Sequence, residues 1–373
     1  MVKLTAWDWA FSIMPYNERW RTLRRHFHEH YTGPALLHYQ PVQLQEVRGM
    51  LQDVLNNPTD TRRYIRRVPG ATIIRVTYGA RNETQTQEYI DLAEKALEAG
   101  KKMAIPGAFY AEAIPLLKYI PAWLPGGYAR KFAAVYRPVL KQMIHKPYDE
   151  VKDAMASGRE LPSVAYNLIS QFQSDSEPTP EEDSITRDVT AMAYVGAVDT
   201  TTAAIEFAGY LETLRSFPIT PLAVPHTVTE DDEYQGFRIP KDTTIIPNVW
   251  AMLNDPEDYP DPFSFKPERF VGDDGQINPA VRNPRDYLFG FGRRVCPGSE
   301  FAIALTELTV ASLLHVFDIE AGADERGVPV SLTTERGNEA ICYPETFPRV
   351  FKPRSVEAEK MIQALEHDQT LAD

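Results

Sequence analysis

The stretch "FGFGRRVCPGSEFA", from Phe289 to Ala302, contains one of only two cysteines in the 373-residue chain. Cys296 directly precedes a Pro-Gly pair, and the sequence predicts a helix that begins near Ser299. A helix N-terminus offers unpaired backbone N–H groups and a partial positive charge, and both stabilise a thiolate. The stretch therefore puts a sulfur ligand on a glycine-rich loop.

The residues around this cysteine narrow its chemistry. Arg293 and Arg294 carry donors that suit carboxylates. A thiolate on a loop, with a carboxylate-binding arginine two residues before it, is what an axial haem ligand needs. Three other interpretations are an inert core cysteine, a protease nucleophile and a dinucleotide-binding loop around "GFG". The protease would need a placed histidine, and no strand–turn–helix unit that precedes the glycines supports the dinucleotide loop.

Composition excludes several classes of function. The chain has 39 Lys and Arg against 52 Asp and Glu, a net charge of -13, which argues against non-specific nucleic-acid binding. Two cysteines without a CxxC pair exclude a disulfide scaffold and a four-cysteine zinc site. No run of about 18 apolar residues occurs, so the sequence predicts no membrane span. Asp8 and Pro15 come too early for a signal peptide.

Periodicity predicts a mainly helical chain with a minor β-sheet. Residues 16–31 fit a helix with Asn17 as N-cap, on which His26 and His30 lie one turn apart. These histidines could suit a metal, but a solvated basic helix is the favoured interpretation. Helix dominates 41–180, with a helix end predicted at Gly100 and "ATIIRVTYG" ambiguous between strand and helix.

Two later segments complete the outline of the fold. Between 224 and 252, apolar and polar residues alternate and turn-forming residues interrupt them, which predicts short strands. The segment "SEFAIALTELTVASLLHVF" predicts a C-terminal helix. The apolar segment 114–127, "IPLLKYIPAWLPGG", is broken by three prolines. It fits a buried core edge or an exposed surface that touches a membrane or a ligand, and the sequence leaves both open.

The cysteine stretch carries a long and specific motif. Phe289, Gly292, Arg294, Cys296 and Gly298 match the FxxGxRxCxG signature of the haem-thiolate monooxygenases, so the chain resembles the cytochrome P450 family. The resemblance implies that Cys296 is the axial ligand of the haem iron and that Arg294 pairs with a haem propionate. The amino-acid sequence as a whole resembles that of fungal members of the O-methylsterigmatocystin oxidoreductase type.

Other motifs of the family follow along the chain. "FKPERF" contains Arg269 of the meander, and "ETLR" supplies Glu212 and Arg215. In the family these three residues form a buried network. "GAVDTT" resembles the oxygen-binding helix stretch, where Asp199 and Thr200 are the implied catalytic acid–alcohol pair that relays protons.

Three further positions are implied as haem contacts, and one position departs from the family pattern. "RWRTLRR" matches the WxxxR of an early helix, which makes Trp20 and Arg24 propionate contacts by resemblance. His226, in "VPH", stands where the family often has another propionate donor. Ala197 stands where the family usually has glycine, and its methyl group would narrow the groove beside bound oxygen.

The resemblance implies a function with its cofactors and partners. The chain would insert one oxygen atom from O2 into a lipophilic small molecule, in fungal secondary metabolism or xenobiotic oxidation. The cofactor would be haem b, with electrons from NADPH through a flavoprotein NADPH–haemoprotein reductase that docks on the cysteine side. Segment 114–127 is a candidate for peripheral membrane contact, and no nucleic-acid partner is expected. Relatives are anchored at the endoplasmic reticulum, and the sequence leaves the localisation of this chain open.

The resemblance also predicts two missing segments. The family carries roughly a hundred more residues before the WxxxR helix, and several further helical turns between Thr200 and Glu212, which here lie 12 positions apart. An unbroken helix would separate those residues by about 18 Å along one axis, so we expect a bend near Gly209 or a displaced motif. We expect the chain to bind haem weakly or not at all, and the alternative function is a catalytically silent protein that binds haem or a hydrophobic ligand.

The predicted organisation is a single, incomplete cytochrome P450 domain over residues 1–373. Within it, the helical body covers about 16–215. The meander, the haem-binding loop and the C-terminal helix cover about 216–350, and the tail covers 351–373.

Overall fold

The structure is a computed structural model that describes most of the chain. The described residues are 1–80, 82–105, 107–173, 178–206, 210–272, 274–323, 326–328, 330, 341–343 and 348–365. Within the described helices, the side chains of 199, 203–206 and 210 lie outside the description.

Helices dominate the described residues, as the sequence predicts. The α-helices in chain order are α1 (Val2–Thr5), α2 (Glu18–Tyr31), α3 (Gln40–Asn56), α4 (Thr61–Tyr78), α5 (Glu83–Ala104), α6 (Tyr110–Ala113), α7 (Tyr128–Ala156), α8 (Val164–Gln173), α9 (Pro180–Glu206), α10 (Tyr210–Ser216), α11 (Val249–Leu253), α12 (Arg285–Leu288), α13 (Ser299–Val316) and α14 (Val356–Ala364). Short 3-10 helices lie at Gly33–His38, Pro58–Asp60, Pro115–Tyr119, Pro267–Phe270 and Gly292–Arg294.

The strands of the described residues form three antiparallel pairs. They are β1 (His226–Thr227), β2 (Asp232–Tyr234), β3 (Phe237–Ile239), β4 (Thr244–Ile245), β5 (Phe317–Ala321) and β6 (Arg349–Pro353). Strand β1 pairs with β4, β2 with β3, and β5 with β6. The prediction of a mainly α fold with a minor β-sheet is confirmed.

The chain divides into two compact units. Unit 1 comprises Met1–Ile205, Pro297–Leu332 and Phe347–Asp373, and unit 2 comprises Glu206–Cys296 and Thr333–Thr346. The prediction of a single domain over the whole chain stays a prediction.

Unit 1 is built on amphipathic helices around a large apolar core. Helix α2 illustrates the local logic, because Asn17 Oδ1 accepts a hydrogen bond from the Trp20 N–H at 2.8 Å and so caps the helix. Trp20, Leu23 and Phe27 then recur on one face and are all buried. The predicted helix and its cap are confirmed. Helices α4 and α5 pack closely, since a Cβ at Gly70 would lie 2.9 Å from Ile90 Cγ1.

Unit 2 has a smaller core of its own. Val249, Leu253, Tyr259, Phe270 and Tyr287 are buried together. Six partly buried apolar residues pack against this cluster: Leu211, Ala223, Met252, Val281, Leu288 and Phe291. The core thus joins helix α11, the meander segment around Phe270 and the segment that leads into the cysteine loop.

Two expectations about local structure are resolved. "ATIIRVTYG" belongs to helix α4, because burial of Ile73 and Ile74 against other helices overrides the strand preference of β-branched residues. The predicted helix end at Gly100 is wrong, since α5 continues to Ala104. Its buried face of small residues reaches Ala99, so the helix stays packed at this point.

The proline-broken segment 114–127 is exposed rather than buried. Leu116 is 76% exposed, Tyr119 62% and Trp123 81%. The described residues also include one helix, α13, that is long and apolar enough to cross a membrane by length and composition, and 39% of it is buried. Core helices of soluble proteins have the same length and composition, so this helix does not indicate where the protein is located.

Candidate functional site

The loop that carries Cys296 is closed by its own backbone. The Cys296 N–H donates to the Phe289 carbonyl at 2.6 Å, and a 3-10 turn at Gly292–Arg294 lies between them. Gly290 has φ +79° and Gly292 has φ +54°, values that residues with a side chain rarely adopt. These two glycines are therefore needed for the shape of the loop, because a residue with a side chain would be strained at either position.

The two cysteines differ in exposure. Cys296 is exposed, whereas Cys342 is buried at 7% exposure, with its backbone N–H donating to Ile219 O at 2.7 Å. A metal ligand needs an accessible sulfur, and a structural thiol does not. Apart from its two chain neighbours, no described residue has a heavy atom within 4 Å of the position that a Cβ would take at Gly292, so this point of the loop borders open space among the described residues. An exposed thiol, an adjacent half-buried Arg294 and open space fit a haem held by one sulfur.

The residues Glu212, Arg215 and Arg269 are brought together inside unit 2. Arg215 Nε lies 2.8 Å from Glu212 Oε2, and its Nη2 lies 2.8 Å from Oε1, a two-bond fork. Arg269 Nε lies 3.0 Å from the same Oε2. Glu212 and Arg215 have fully buried side chains, and that of Arg269 is 8% exposed. Charges this deep cost several kcal/mol unless they are paired, and the carboxylate pairs with both guanidinium groups.

Backbone groups complete this network. Arg215 donates to Leu253 O at 2.9 Å, and Arg269 donates to Pro260 O at 2.9 Å and to Ser264 O at 3.1 Å. The guanidinium of Arg215 also lies 5.5 Å from the ring centre of the buried Tyr259, a cation–π contact. Sequence reasoning named the three charged residues and missed Tyr259, because backbone acceptors and ring contacts are set by the path of the chain.

Residues 207–209, between the described parts of helices α9 and α10, lie outside the described residues, and so does the bend predicted near Gly209. Glu212 lies in helix α10 and reaches Arg269, so the network forms with this chain's short spacing between the two motifs.

The candidate proton-relay residues lie on helix α9. The Thr200 hydroxyl donates to Gly196 O, one turn earlier, at 2.7 Å. The Asp199 side chain lies outside the described residues. Ala197, where the family usually has glycine, is half-buried in the regular helix. The catalytic role of Asp199 and Thr200 stays a prediction.

The other implied haem contacts have partners within the protein. Trp20 is buried, and its indole N–H donates to Phe11 O at 3.1 Å. Arg24 lies with its guanidinium carbon 5.8 Å from the Trp20 ring centre. His226 is in strand β1, opposite Ile245 of β4. Their roles as propionate contacts stay predictions.

The histidines of helix α2 form no metal centre. No group of three or more His, Cys, Asp or Glu side chains that could hold a metal ion occurs among the residues that the structure describes. Instead, burial lowers the pKa of His26 and of His30, and His26 packs edge-on against Phe172. The interpretation of residues 16–31 as a solvated basic helix stays a prediction, and the structure buries one of its histidines, His26.

Comparison with known proteins decides the family. The sequence model of cytochrome P450 matches residues 5–211 and 210–335. The chain belongs to the cytochrome P450 family. It is 32% identical to cytochrome P450 monooxygenase ple1 of Rhodocybe pseudopiperita, over 97% of this chain and 77% of the relative. Cytochrome P450 monooxygenase COX2 of Coprinopsis cinerea is 31% identical over 97% of this chain and 77% of the relative. Tryptamine 4-monooxygenase of Psilocybe cyanescens is 30% identical over 96% of this chain and 79% of the relative.

The comparisons also show that a relative is longer than this chain inside the matched region. The P450 model matches as two segments that meet at 210–211, between Thr200 and Glu212. The alignment with the Rhodocybe protein spans 403 positions, more than the 373 residues of the chain. That relative therefore carries residues inside the matched region that this P450 lacks. The narrower resemblance to O-methylsterigmatocystin oxidoreductases stays a prediction.

Proposed function

We propose that this P450 monooxygenase oxidises a lipophilic small molecule in fungal secondary metabolism or xenobiotic oxidation. It would take electrons from NADPH through a flavoprotein reductase that docks on the Cys296 side. The observation that carries the proposal is the exposed Cys296 on a loop that its own backbone closes at 2.6 Å. A fixed and accessible thiolate is what distinguishes an axial ligand from an inert cysteine.

Haem b would be held by Cys296 as axial ligand and by donors to its propionates. Arg294 is the leading donor because it is two residues away on the same loop, and Trp20, Arg24 and His226 are the further candidates. When bound, the haem supplies oxygen activation, which a thiolate ligand favours by pushing electron density toward the iron. The protein supplies ligation, orientation and exclusion of water.

The buried network would hold the cysteine loop in place. Arg215 ties Glu212 to the carbonyl of Leu253 and stacks on Tyr259. Leu253 and Tyr259 belong to the unit 2 core against which Phe291, inside the cysteine loop, packs. A continuous set of contacts therefore runs from the ion pairs to the loop. In this proposal the network acts through packing on the position of the sulfur.

Thr200 and Asp199 would move protons. The Thr200 hydroxyl donates its own hydrogen to Gly196 O, so its oxygen lone pairs remain able to accept a hydrogen bond from water. Asp199 precedes it in the chain and would take a proton from solvent and pass it on. A carboxylate beside a hydroxyl is the pair of groups that such a relay requires.

Segment 114–127 would touch the membrane surface from which a lipophilic substrate partitions. Its apolar side chains are exposed, and Trp123, at 81% exposure, is of the type that favours the boundary between lipid and water. Lys118 lies in the same segment and suits anionic headgroups.

Isotopic labelling tests the reaction. The full chain, haem, NADPH and a fungal reductase are incubated with isotopically labelled O2 and a panel of lipophilic compounds, and products are analysed by mass spectrometry. We expect products with one labelled oxygen, lost in Cys296→Ala and retained in Cys342→Ala. Stoichiometric haem binding without any labelled product, over a panel that a complete relative oxidises, would contradict the proposed reaction.

A second candidate function is binding of haem or a hydrophobic ligand without turnover. The long alignment with the Rhodocybe protein favours it, because that relative carries residues inside the matched region that this chain lacks. The same experiment separates the two functions, since only the monooxygenase gives labelled product.

A further inference from the structure

A cationic cavity lies in unit 1, formed by residues that the monooxygenase proposal does not use. Its volume is about 320 Å³, at the lower end of the range of small-molecule sites. The lining residues come from the N-terminal segment and from helices α2, α7 and α9: Ala6, Asp8, Trp9, Arg19, Lys141, Ile144, His145, Arg187 and Asp188. Four of the nine are basic residue types.

Asp188 fixes two arginines at the wall of this cavity. Its side chain is 2% exposed, with Oδ2 lying 2.6 Å from Arg19 Nη2 and Oδ1 lying 3.0 Å from Arg187 Nη2. Ser184 Oγ accepts a further hydrogen bond from Arg19 Nη2 at 3.1 Å. Burial raises the pKa of Asp188, and the two guanidinium groups oppose that shift. One buried carboxylate thus orients two cations that are themselves 34% and 23% exposed.

The oriented arginines keep donors to spare. Arg19 uses only Nη2, and Arg187 uses Nε and Nη2, for the bonds that the described residues provide. A guanidinium has five N–H donors in a planar fork that matches an oxyanion. Lys141 is exposed and adds an ammonium group with no acceptor among the described residues. Donors therefore outnumber acceptors at this wall.

The lining also has apolar members. Trp9 stacks on Trp7, with ring centres 5.8 Å apart and planes 16° from parallel, which holds its ring as a rigid surface. Ile144 and Ala6 add aliphatic carbon. A cavity lined by cationic side chains and by a flat aromatic ring suits a ligand with an oxyanion at one end and a planar apolar body.

We propose that this cavity, named here the Arg19–Arg187 cavity, binds a small aromatic acid or aromatic phosphate ester. The oxyanion would bridge Arg19, Arg187 and Lys141, and the ring would lie on Trp9. Asp188 would position the arginines without touching the ligand, and Asp8 would exclude ligands that carry a second anionic group at the apolar end. This site is independent of haem binding.

Calorimetric titration of the full chain tests the site with phenyl phosphate and benzoate as probes, and with phenol and inorganic phosphate as fragments. We expect saturable binding of phenyl phosphate or benzoate, at least about tenfold tighter than binding of either fragment, because both walls contribute. Binding of phenyl phosphate alone identifies a phosphate site, and binding of benzoate alone identifies a carboxylate site. No saturable binding of either probe at millimolar concentration overturns the proposal.

Matched variants on helix α7 assign the binding to the cavity. Lys141→Gln should weaken the binding of the probe, phenyl phosphate or benzoate, about tenfold, since it removes one hydrogen bond to a charged group. Lys131→Gln makes the same change on the same helix outside the lining and should leave the affinity unchanged. Both lysines are exposed, so neither change threatens the fold. Equal affinity of Lys141→Gln and wild type would overturn the assignment.

Discussion

Replacement of Glu212 by glutamine should destabilise unit 2 by about 3–5 kcal/mol, because it removes the only carboxylate of a buried three-residue network. Glutamine has nearly the same size and keeps one acceptor oxygen. Arg215 and Arg269 nevertheless remain buried, at 0% and 8% exposure, without the charge that compensates them. The Lys266 N–H, which donates to Glu212 Oε1 at 2.9 Å, depends on the same side chain.

The assay is urea unfolding followed by circular dichroism, together with hydrogen exchange of peptides from 249–296. Exchange is needed because two compact units need not unfold in one transition. Asp231→Asn is the control, since its ion pair with Arg238 is as short, at 2.7 Å, but both side chains are more than half exposed. That change should leave the urea midpoint nearly unchanged, because exposed ion pairs contribute little to stability. If Glu212→Gln lowered the free energy of unfolding by less than about 1 kcal/mol, the reasoning that burial makes this network important for stability would be refuted.

Three further predictions concern separate parts of the protein. Burial lowers the pKa of His26 below its ordinary value of 6.5, so the unfolded chain takes up a proton at a higher pH than the folded chain. The free energy of unfolding should therefore fall as the pH drops below about 6.5. In urea melts at several pH values, His26→Gln should flatten this dependence, and His28→Gln, at an exposed position, should not. Gly290→Ala, at φ +79°, should weaken haem binding in spectroscopic titrations, whereas Gly298→Ala, at φ -96°, should weaken it less. Trp123→Ser should reduce cosedimentation with phospholipid vesicles severalfold without a change in melting temperature.

The predictions that succeeded rest on local chemistry. Asn17 caps helix α2 because its side chain accepts a hydrogen bond from the N–H of Trp20, three residues later. This contact depends only on residues that are close in the sequence. The sequence predicts a glycine-rich loop before Cys296, and Gly290 and Gly292 in that loop have positive φ values. In both places the residue type alone fixes the backbone.

The predictions that failed, or stayed open, depended on packing at a distance. Gly100 lies inside helix α5 because buried alanines keep the helix packed there. The β-branched run that ends at Tyr78 became helix for the same reason. Segment 114–127 could not be assigned to core or surface, since its composition fits both. Tyr259 was missed as a partner of Arg215 because 44 positions separate them and only the fold makes them neighbours.

The central claim is that Cys296 is the sulfur that binds haem iron, and the ferrous–CO difference spectrum of the full chain with added haem measures it most directly. Wild type and Cys342→Ala should give the red-shifted Soret band that thiolate ligation produces, and Cys296→His should bind haem without it. The claim is contradicted if wild type lacks that band while retaining haem, or if Cys296→His keeps it.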